Sequence, residues 1–221
     1  MRIAAWVLLV SLFCSATAEA QRRHPVSGRV LAPTMGVAGA GWLERPERED
    51  EEAPSKALDE LGLKPGMVVA DIGAGSGYYA VRMAKRVGPS GRIYATDIQQ
   101  GMLDIIDRRI KADHLDNITT VLGGFDDPNL PAASLDLAIM VDVYHELQSP
   151  QPFLQKLRAA LKPGGRLVLL EYRKEDPKIP ILEVHKMSVA EVKAELEAEG
   201  FVLSGVIETL PWQHLFVLRV K

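Results

Sequence analysis

The chain has 221 residues, of which 47% are hydrophobic and 25% are charged, and its formal net charge at pH 7 is −3. This length suits one domain with a sizeable core and a short extension. The slightly acidic balance offers no basic surface that could follow a phosphate backbone, so we do not expect a nucleic-acid partner.

The first twenty residues have the features of a secretory signal peptide. Arg2 precedes an apolar run from Ile3 to Cys14, and Ala-Glu-Ala at 18–20 has the form of a cleavage site. An uncleaved membrane anchor is the alternative, although the run is short for a bilayer span. The sequence therefore predicts an exported protein, periplasmic or secreted, that meets a membrane only through this segment if it is uncleaved. Cleavage would remove Cys14, the one cysteine, and with it any disulfide or thiolate ligand.

Residues 21–56 form an N-terminal extension ahead of the predicted domain at 57–221. The extension contains Gly36, Gly39 and Gly41 and then a run of charges from Glu44 to Glu52. A charge run of this kind is typical of a solvated face or a linker. The alternative is a lid that closes over a ligand site, and Trp42 and Arg45 are the residues that favour it.

A strand, a glycine loop and a helix open the domain. The strand runs through Val68, Val69 and Ala70 and suits burial on both faces of a parallel sheet. Three alternating glycines follow, and their lack of a Cβ permits a tight turn and a close approach of a ligand. The predicted helix carries an apolar stripe at helical spacing: Ala80, Met83, Ala84 and Val87. The first turn of that helix presents its free N–H groups to whatever the loop holds.

The remaining periodicities predict an α/β fold. Further strands are predicted at residues 91–96, 118–122, 135–141, 166–171, 201–207 and 214–220, with helices between most of them. Ser188 and Glu191 form a capping box, and Ser149-Pro150 marks another helix start. The last two strands have no helix between them and must be antiparallel. We therefore predict a doubly wound, Rossmann-like, mostly parallel seven-stranded sheet with helices on both faces and an antiparallel last strand.

Asp97 ends the second predicted strand, twenty positions beyond Gly77 (97 − 77). In an open α/β sheet the ligand lies beyond the carboxyl ends of the strands, where a carboxylate can accept hydrogen bonds from both hydroxyls of a ribose. The alternative is that Asp97 caps the helix that follows it.

The glycine pattern is G-x-G-x-G, with Tyr78 where a dinucleotide-binding loop has its third glycine and with Asp71 just before the loop. Together with the turn Lys162-Pro163-Gly164-Gly165, this pattern resembles the class I S-adenosylmethionine-dependent methyltransferases, and it is most similar to the small-molecule enzymes of quinone biosynthesis. The resemblance covers about residues 57–220. The segment after the fourth strand lacks the Asn-Pro-Pro-aromatic signature of enzymes that methylate nucleic-acid amino groups.

The resemblance implies S-adenosylmethionine as the cofactor and a set of residues that hold it. Asp71, Gly73, Gly75 and Gly77 would hold its amino acid part, and Asp97 would hold the ribose. Phe125 would lie beside the adenine, and Asp126 would reach the adenine amino group. The loop is not the usual Gly-Asp-Ala, so Asp126 and Asp127 could exchange roles. Ile98 and Asp142, which follow the second strand and the fourth, complete the set.

The predicted activity is methyl transfer from S-adenosylmethionine to a small-molecule acceptor that the sequence does not identify. One alternative is an NAD(P)-binding Rossmann oxidoreductase, and another is an S-adenosylmethionine-binding module without catalysis. The predicted export conflicts with a cofactor that is made inside the cell, and the sequence does not resolve this conflict.

Catalytic candidates follow from the predicted topology. His145 and Tyr144 come directly after the fourth strand, His185 lies in the loop after the fifth, and His214 lies in the last hairpin. We predict that His145, with Tyr144 beside it, accepts or orients the acceptor's proton, since an imidazole titrates near neutral pH. A structural role for each histidine is the alternative. Ligand type alone would allow a metal site with all three histidines as ligands, but their separations carry no metal-ligand signature, so no metal site is predicted.

Overall fold

A computed structural model describes residues 22–221 as one α/β unit. The strands are β1 (Val68–Ile72), β2 (Arg92–Asp97), β3 (Ile118–Leu122), β4 (Leu135–Val141), β5 (Leu161–Arg173), β6 (Lys186–Met187), β7 (Phe201–Ile207) and β8 (Gln213–Val220). The helices are α1 (Arg48–Glu52), α2 (Pro54–Glu60), α3 (Tyr78–Val87), α4 (Gln100–Asp113), α5 (Pro150–Ala160) and α6 (Val189–Ala198). The predicted signal peptide and Cys14 lie outside the described residues.

The strands form one sheet in the order β3-β2-β1-β4-β5-β8-β7. The first five are parallel, and β8 runs antiparallel between β5 and β7. This arrangement confirms the predicted fold class. It differs from the simple dinucleotide-binding order 3-2-1-4-5-6, because a reversed strand stands next to β5.

Two layers of helices cover the sheet, as expected for a doubly wound fold. One hydrophobic cluster joins α2 and α3 to one face, and it includes Leu58, Met83 and Ile106. The other joins α5 and α6 to the opposite face, and it includes Phe153 and Leu196. Strands β1 and β4 contribute to both clusters because successive side chains point to opposite faces.

Some boundaries differ from the prediction. The short strand β6 pairs with the end of β5 and was not predicted; two residues are too few to show a period. Strand β5 begins at Leu161 rather than at Arg166, and its register on β4 shifts between Leu135 and Leu137. The glycines of the Lys162–Gly165 turn thus lie within an irregular stretch of pairing, where Gly164 takes a positive φ of 81°.

The helix-start predictions have different outcomes. The capping box of α6 is confirmed, since the N–H of Glu191 donates to Ser188 Oγ at 3.2 Å and the N–H of Ser188 donates to Glu191 Oε2 at 3.0 Å. Ser149 does occupy the N-cap of α5, but its hydroxyl makes no capping hydrogen bond. Pro150, at the first helical position, therefore marks this start through its fixed φ.

The N-terminal segment, residues 22–52, packs across the carboxyl edge of the sheet. Arg29 donates from Nε to Glu195 Oε1 on α6 at 2.9 Å, and the N–H of Ala32 donates to the carbonyl of His145 at 3.1 Å. The predicted boundary between residues 56 and 57 falls inside α2. Among residues 22–221, no helix combines the length and the hydrophobicity needed to cross a bilayer.

Candidate functional site

The glycine loop between β1 and α3 is shaped by close contacts. Gly73 and Gly75 have φ angles of 65° and 54°, in the left-handed region. A Cβ on Gly73 would lie 2.5 Å from Val143 Cγ2, and one on Gly75 would lie 2.6 Å from Leu43 Cδ1. Both positions therefore require glycine for conformation and for space.

Asp97, at the end of β2, holds the glycine loop against the sheet. Its Oδ2 accepts the N–H of Gly75 at 3.0 Å, and its Oδ1 accepts the N–H of Gln99 at 2.9 Å. Burial raises the pKa of Asp97, and these backbone hydrogen bonds oppose that rise. Gln99 is itself the N-cap residue of α4, so Asp97 does not cap that helix's first turn. Its carboxylate faces the cavity described next.

A partly enclosed cavity lies over the carboxyl ends of β1, β2 and β4. Six of the nine predicted cofactor residues line it: Gly73, Gly75, Asp97, Ile98, Phe125 and Asp142. Further wall residues come from the loops after β2, β3 and β4: Gln99, Met102, Gly123, Gly124, Val143, Glu146, Leu147 and Gln148. The cavity is therefore at the edge of the sheet where the sequence placed the ligand.

Three predicted cofactor residues lie away from the wall. Asp71 is buried beneath the loop, where a hydrogen bond from the Ala80 N–H opposes the effect of burial, and its pKa is raised to about 7. A Cβ on Gly77 would meet Ile106 of α4 at 3.0 Å, so this glycine serves close packing of two helices. Asp126 lines a neighbouring groove instead. For these three the structure shows a supporting or peripheral position, not one on the wall.

The N-terminal segment supplies one side of the cavity: Thr34, Met35, Trp42, Leu43 and Arg48. Its charge run is not uniformly solvated, which corrects the expectation of a solvated face or linker. Arg48 is 4% exposed and Glu52 is 0% exposed. Their spacing of four residues on one helix was the signal in the sequence, since such a pair lies on one face.

The buried ion pair anchors this segment. Arg48 Nε donates to Glu52 Oε2 at 2.7 Å, and Arg48 Nη1 donates to the carbonyl of Leu43 at 2.9 Å. The guanidinium also lies over the ring of Tyr78, 4.4 Å from its centre. Glu52 Oε1 accepts a hydrogen bond from the hydroxyl of Tyr172 at 2.8 Å. The pair therefore joins the segment to both α3 and β5.

Asp142 has an unusual environment at the end of β4. Its φ is 55°, and its Oδ2 accepts a hydrogen bond from Gln213 Nε2 at 2.8 Å. Its buried Oδ1 has no hydrogen-bond partner among the described residues. Burial, with Glu52 and Glu171 nearby, holds the pKa of Asp142 well above its usual range. A buried acceptor without a donor on a cavity wall is suited to a bound ammonium group.

The structure brings two of the three predicted histidines together. His145 Nε2 lies 3.0 Å from His185 Nδ1, and His145 Nδ1 lies 2.6 Å from Glu171 Oε2. Burial, with His145 close by, lowers the pKa of His185. His145 is 1% exposed and lies behind the wall, whereas the adjacent Glu146 lines the cavity, and burial raises the pKa of Glu146 to about 7. The ring of His145 is thus oriented by Glu171 from β5.

The other two catalytic candidates, Tyr144 and His214, do not line the cavity. Tyr144 is fully buried, and its hydroxyl lies 3.3 Å from Nε2 of His24. His214 lines a separate cleft and pairs with Glu175 at 3.1 Å. His24, on the N-terminal segment, was not predicted, because its role depends on a contact with α6 far along the chain.

Comparisons with known proteins agree with this geometry. The family model described as "Methyltransferase domain" matches residues 69–165. A crystal structure of an S-adenosylmethionine-dependent methyltransferase from Aquifex aeolicus superposes with a TM-score of 0.80 at 28% identity, and the match covers 85% of this chain and 100% of that one.

Two curated relatives are similar over a part of their length. An uncharacterised 37.1 kDa protein in transposon TN4556 of Streptomyces fradiae is 32% identical over 83% of this chain and 54% of its own length. The ubiquinone/menaquinone biosynthesis C-methyltransferase UbiE of Hydrogenovibrio crunogenus is 29% identical over 53% of this chain and 47% of its own length. The chain thus spans about half the length of the curated relatives it matches.

The sheet order, the glycine loop and these matches define the class. The chain carries a class I S-adenosylmethionine-dependent methyltransferase domain, and S-adenosylmethionine is the cofactor of that domain. The expectation drawn from the glycine pattern is confirmed to this extent.

The contact between Leu43 and Gly75 gives a first prediction. We expect Leu43→Ala to weaken binding of S-adenosylhomocysteine by about tenfold, because it removes apolar packing over the loop that is worth about 1–2 kcal/mol. Isothermal titration calorimetry measures the affinity. Val26→Ala is the matched control, since Val26 is an exposed side chain on the same segment and does not line the cavity. Equal affinities of both variants and the unmodified protein would show that the segment does not serve as a cover.

Proposed function

We propose that the protein transfers a methyl group from S-adenosylmethionine to a small, largely apolar organic acceptor. The observation that carries this proposal is the cover over the cavity: the chain's own N-terminal segment forms one wall through Trp42 and Leu43, and Phe125 also lines the cavity. A site enclosed in this way suits a small acceptor better than a macromolecule. The formal charge of −3 agrees, because it gives no basic track for nucleic acid.

The residues on the wall fit the cofactor. Asp97 would hold the ribose hydroxyls, Asp142 would accept the ammonium group at its free Oδ1, and Phe125 would lie beside the adenine. The exposed side chain of Phe125 suits an aromatic ligand at this place. The charge-assisted hydrogen bonds of the two carboxylates would supply most of the polar recognition.

When bound, the cofactor supplies an electrophilic methyl group on a sulfonium, whose leaving group needs no acid. The protein must therefore align the acceptor and provide for its proton. In the turn that follows β4, the side chain of Glu146 lines the cavity. His145 lies behind this wall, and Glu171 holds its ring through a hydrogen bond. This turn is the part of the chain that we assign to the acceptor side.

The names of the relatives suggest where to look for the acceptor. Several are quinone-biosynthesis methyltransferases. Phenols and quinols are therefore the first candidate acceptors to test, followed by enols, thiols and amines. Purified protein is incubated with methyl-labelled S-adenosylmethionine and each acceptor, and products are identified by mass. Label on a small molecule, but not on added DNA, RNA or protein, would support the proposal.

Two outcomes would favour the alternatives. Binding of the cofactor without label on any member of a broad panel would indicate a binding module without catalysis. Tighter binding of NADH than of S-adenosylhomocysteine would indicate an oxidoreductase. Asp97→Ala is the control that should lose label transfer to any acceptor that is found.

The cofactor affinity should depend on pH through Asp142. The raised pKa favours the protonated carboxyl in the free protein, whereas a bound ammonium favours its ionised form, so binding releases a proton. We therefore expect the affinity for S-adenosylhomocysteine to rise as the pH rises toward the raised pKa of Asp142. Calorimetry in two buffers of different ionisation enthalpy counts the protons released. Asp142→Asn should bind more weakly at pH 8 and show a flatter profile, and an unchanged slope would exclude Asp142 as the source.

We also propose export through residues 1–20, on the signal-peptide features of that segment alone. Fractionation of cells that express the whole chain tests this location. Recovery of full-length protein in the cytosol would overturn it.

A further inference from the structure

Two turns place three metal-ligating side chains around one point beside the cofactor cavity. His145 and Glu146 lie on the turn after β4, and His185 lies on the turn that precedes β6. One ligand atom from each residue lies within 4.8 Å of the other two. Among residues 22–221, these three side chains form the one cluster of potential ligands that is close enough together to hold a metal ion.

The distance between the two imidazoles suits a shared ion. Nitrogen ligands at about 2.1 Å from one metal lie about 3.0–3.4 Å apart for bond angles between 90° and 109°. His145 Nε2 and His185 Nδ1 are 3.0 Å apart, and the two rings meet edge to face at 88°. A metal ion can therefore replace the proton that His145 Nε2 and His185 Nδ1 would otherwise share.

Glu171 supplies the outer carboxylate that a metal-bound histidine usually has. It is fully buried, and its Oε2 lies 2.6 Å from His145 Nδ1. Its other oxygen accepts the N–H of Tyr144 at 2.9 Å, which fixes the carboxylate. A proton on Nδ1, shared with Glu171, leaves the lone pair of Nε2 directed toward His185.

Glu146 completes the set from the cavity side. Its Oε1 is 4.0 Å from His145 Nε2, and its side chain lines the cavity, so rotation about its side-chain bonds can bring it to an ion at the two imidazoles. Two nitrogens and one carboxylate oxygen leave further coordination positions open, and these positions would face the cavity.

We propose that His145 Nε2, His185 Nδ1 and the Glu146 carboxylate bind one divalent transition-metal ion, of which zinc fits this donor set best. Because Glu146 lines the cavity, an open position on the ion could take an oxygen or nitrogen of the acceptor. That role rests on the proposed function, whereas the binding of the metal does not. The sequence did not predict this site, because residues 40 positions apart (185 − 145) meet only through the sheet.

The test uses the purified protein, without an affinity tag and after treatment with a chelator. Zinc is added in competition with a chromophoric indicator, in the absence of cofactor and acceptor. We expect one equivalent to bind, and cobalt in its place to give the visible absorption of a four- or five-coordinate ion. His185→Ala should weaken zinc binding by at least about 100-fold, and Glu171→Gln, a change at a positioning residue, by about 10–100-fold.

Two matched controls separate this site from weaker surface binding. His214→Ala removes a buried histidine that pairs with a carboxylate in another cleft, and His114→Ala removes an exposed one. Both should bind zinc as the unmodified protein does. His185 is half-buried, so its loss is tolerated better than that of His145, and circular dichroism verifies the fold of each variant.

The proposal is overturned if the unmodified protein shows no saturable binding of one equivalent, or if His214→Ala reduces binding as much as His185→Ala. Because no methyl transfer is measured, a negative result here leaves the proposed function standing. Failure of methyl transfer with intact zinc binding would instead affect the proposed function alone.

Discussion

Asp97→Ala should reduce the affinity for S-adenosylhomocysteine by at least about 100-fold. The carboxylate would lose charge-assisted hydrogen bonds to two ribose hydroxyls, each worth about 1.5–3 kcal/mol. The same change also releases the N–H groups of Gly75 and Gln99, which should lower the free energy of unfolding by about 1–3 kcal/mol. Calorimetry measures the first effect, and urea unfolding measures the second.

The control must separate binding from folding. Asp104→Ala removes an exposed carboxylate of α4 that accepts a hydrogen bond from the side chain of Gln100, and it should leave both quantities nearly unchanged. Asp97→Asn keeps the size of the side chain and one acceptor oxygen, so it should give an intermediate affinity. If Asp97→Ala binds normally while its unfolding free energy falls, Asp97 only supports the loop.

Arg48→Ala should lower the free energy of unfolding by about 3–5 kcal/mol, because it removes one of the two cations that pair with the buried carboxylate of Glu52, the other being Arg45. Burial acts to lower the pKa of Arg48, but the adjacent carboxylate of Glu52 outweighs it and holds that pKa above its ordinary value. Urea unfolding at fixed pH measures the loss. Cofactor affinity should also fall, because Arg48 lines the cavity and holds the carbonyl of Leu43.

Arg86→Ala is the matched control for the ion pair. Arg86 makes an ion pair with Asp59 at a similar distance, 2.9 Å, but both side chains are substantially exposed to solvent. Its loss should lower the free energy of unfolding by less than about 1 kcal/mol. Equal losses for the two variants would show that Arg45 and Tyr172 are sufficient to stabilise the buried carboxylate of Glu52 without Arg48.

The main elements of the fold could be predicted because their patterns are local. The apolar run of β4 and the stripe in α3 appear within a few residues, and the capping box of α6 needs only Ser188 and Glu191. Strand β6 could not be found in this way, because its two residues pair with β5 through a loop. The irregular start of β5 likewise depends on its register against β4.

The site residues also differ in whether local patterns reveal them. Gly73, Gly75 and Asp97 could be placed at the site because β1 ends just before the glycine loop and β2 ends at Asp97, and the topology brings both ends to the same edge of the sheet. The partner of His145 could not be found, since Glu171 is brought to it by the pairing of β4 with β5. The spacing of Arg48 and Glu52 indicates that the two can pair, but it does not show that Glu52 is buried, because Glu52 also contacts Tyr172, far along the chain.

The docking of the N-terminal segment has a consequence for the folding kinetics. Arg29 meets Glu195 across 166 positions of sequence, so the contact closes a loop almost as long as the domain. Contacts of such separation form slowly, because the entropy of the loop must be lost before the contact stabilises it. The sheet can be complete while the wall that carries Leu43 and Arg48 is still undocked. During refolding, therefore, the far-ultraviolet signal of the strands should recover first, and the capacity to retain the cofactor should follow as a later, slower phase.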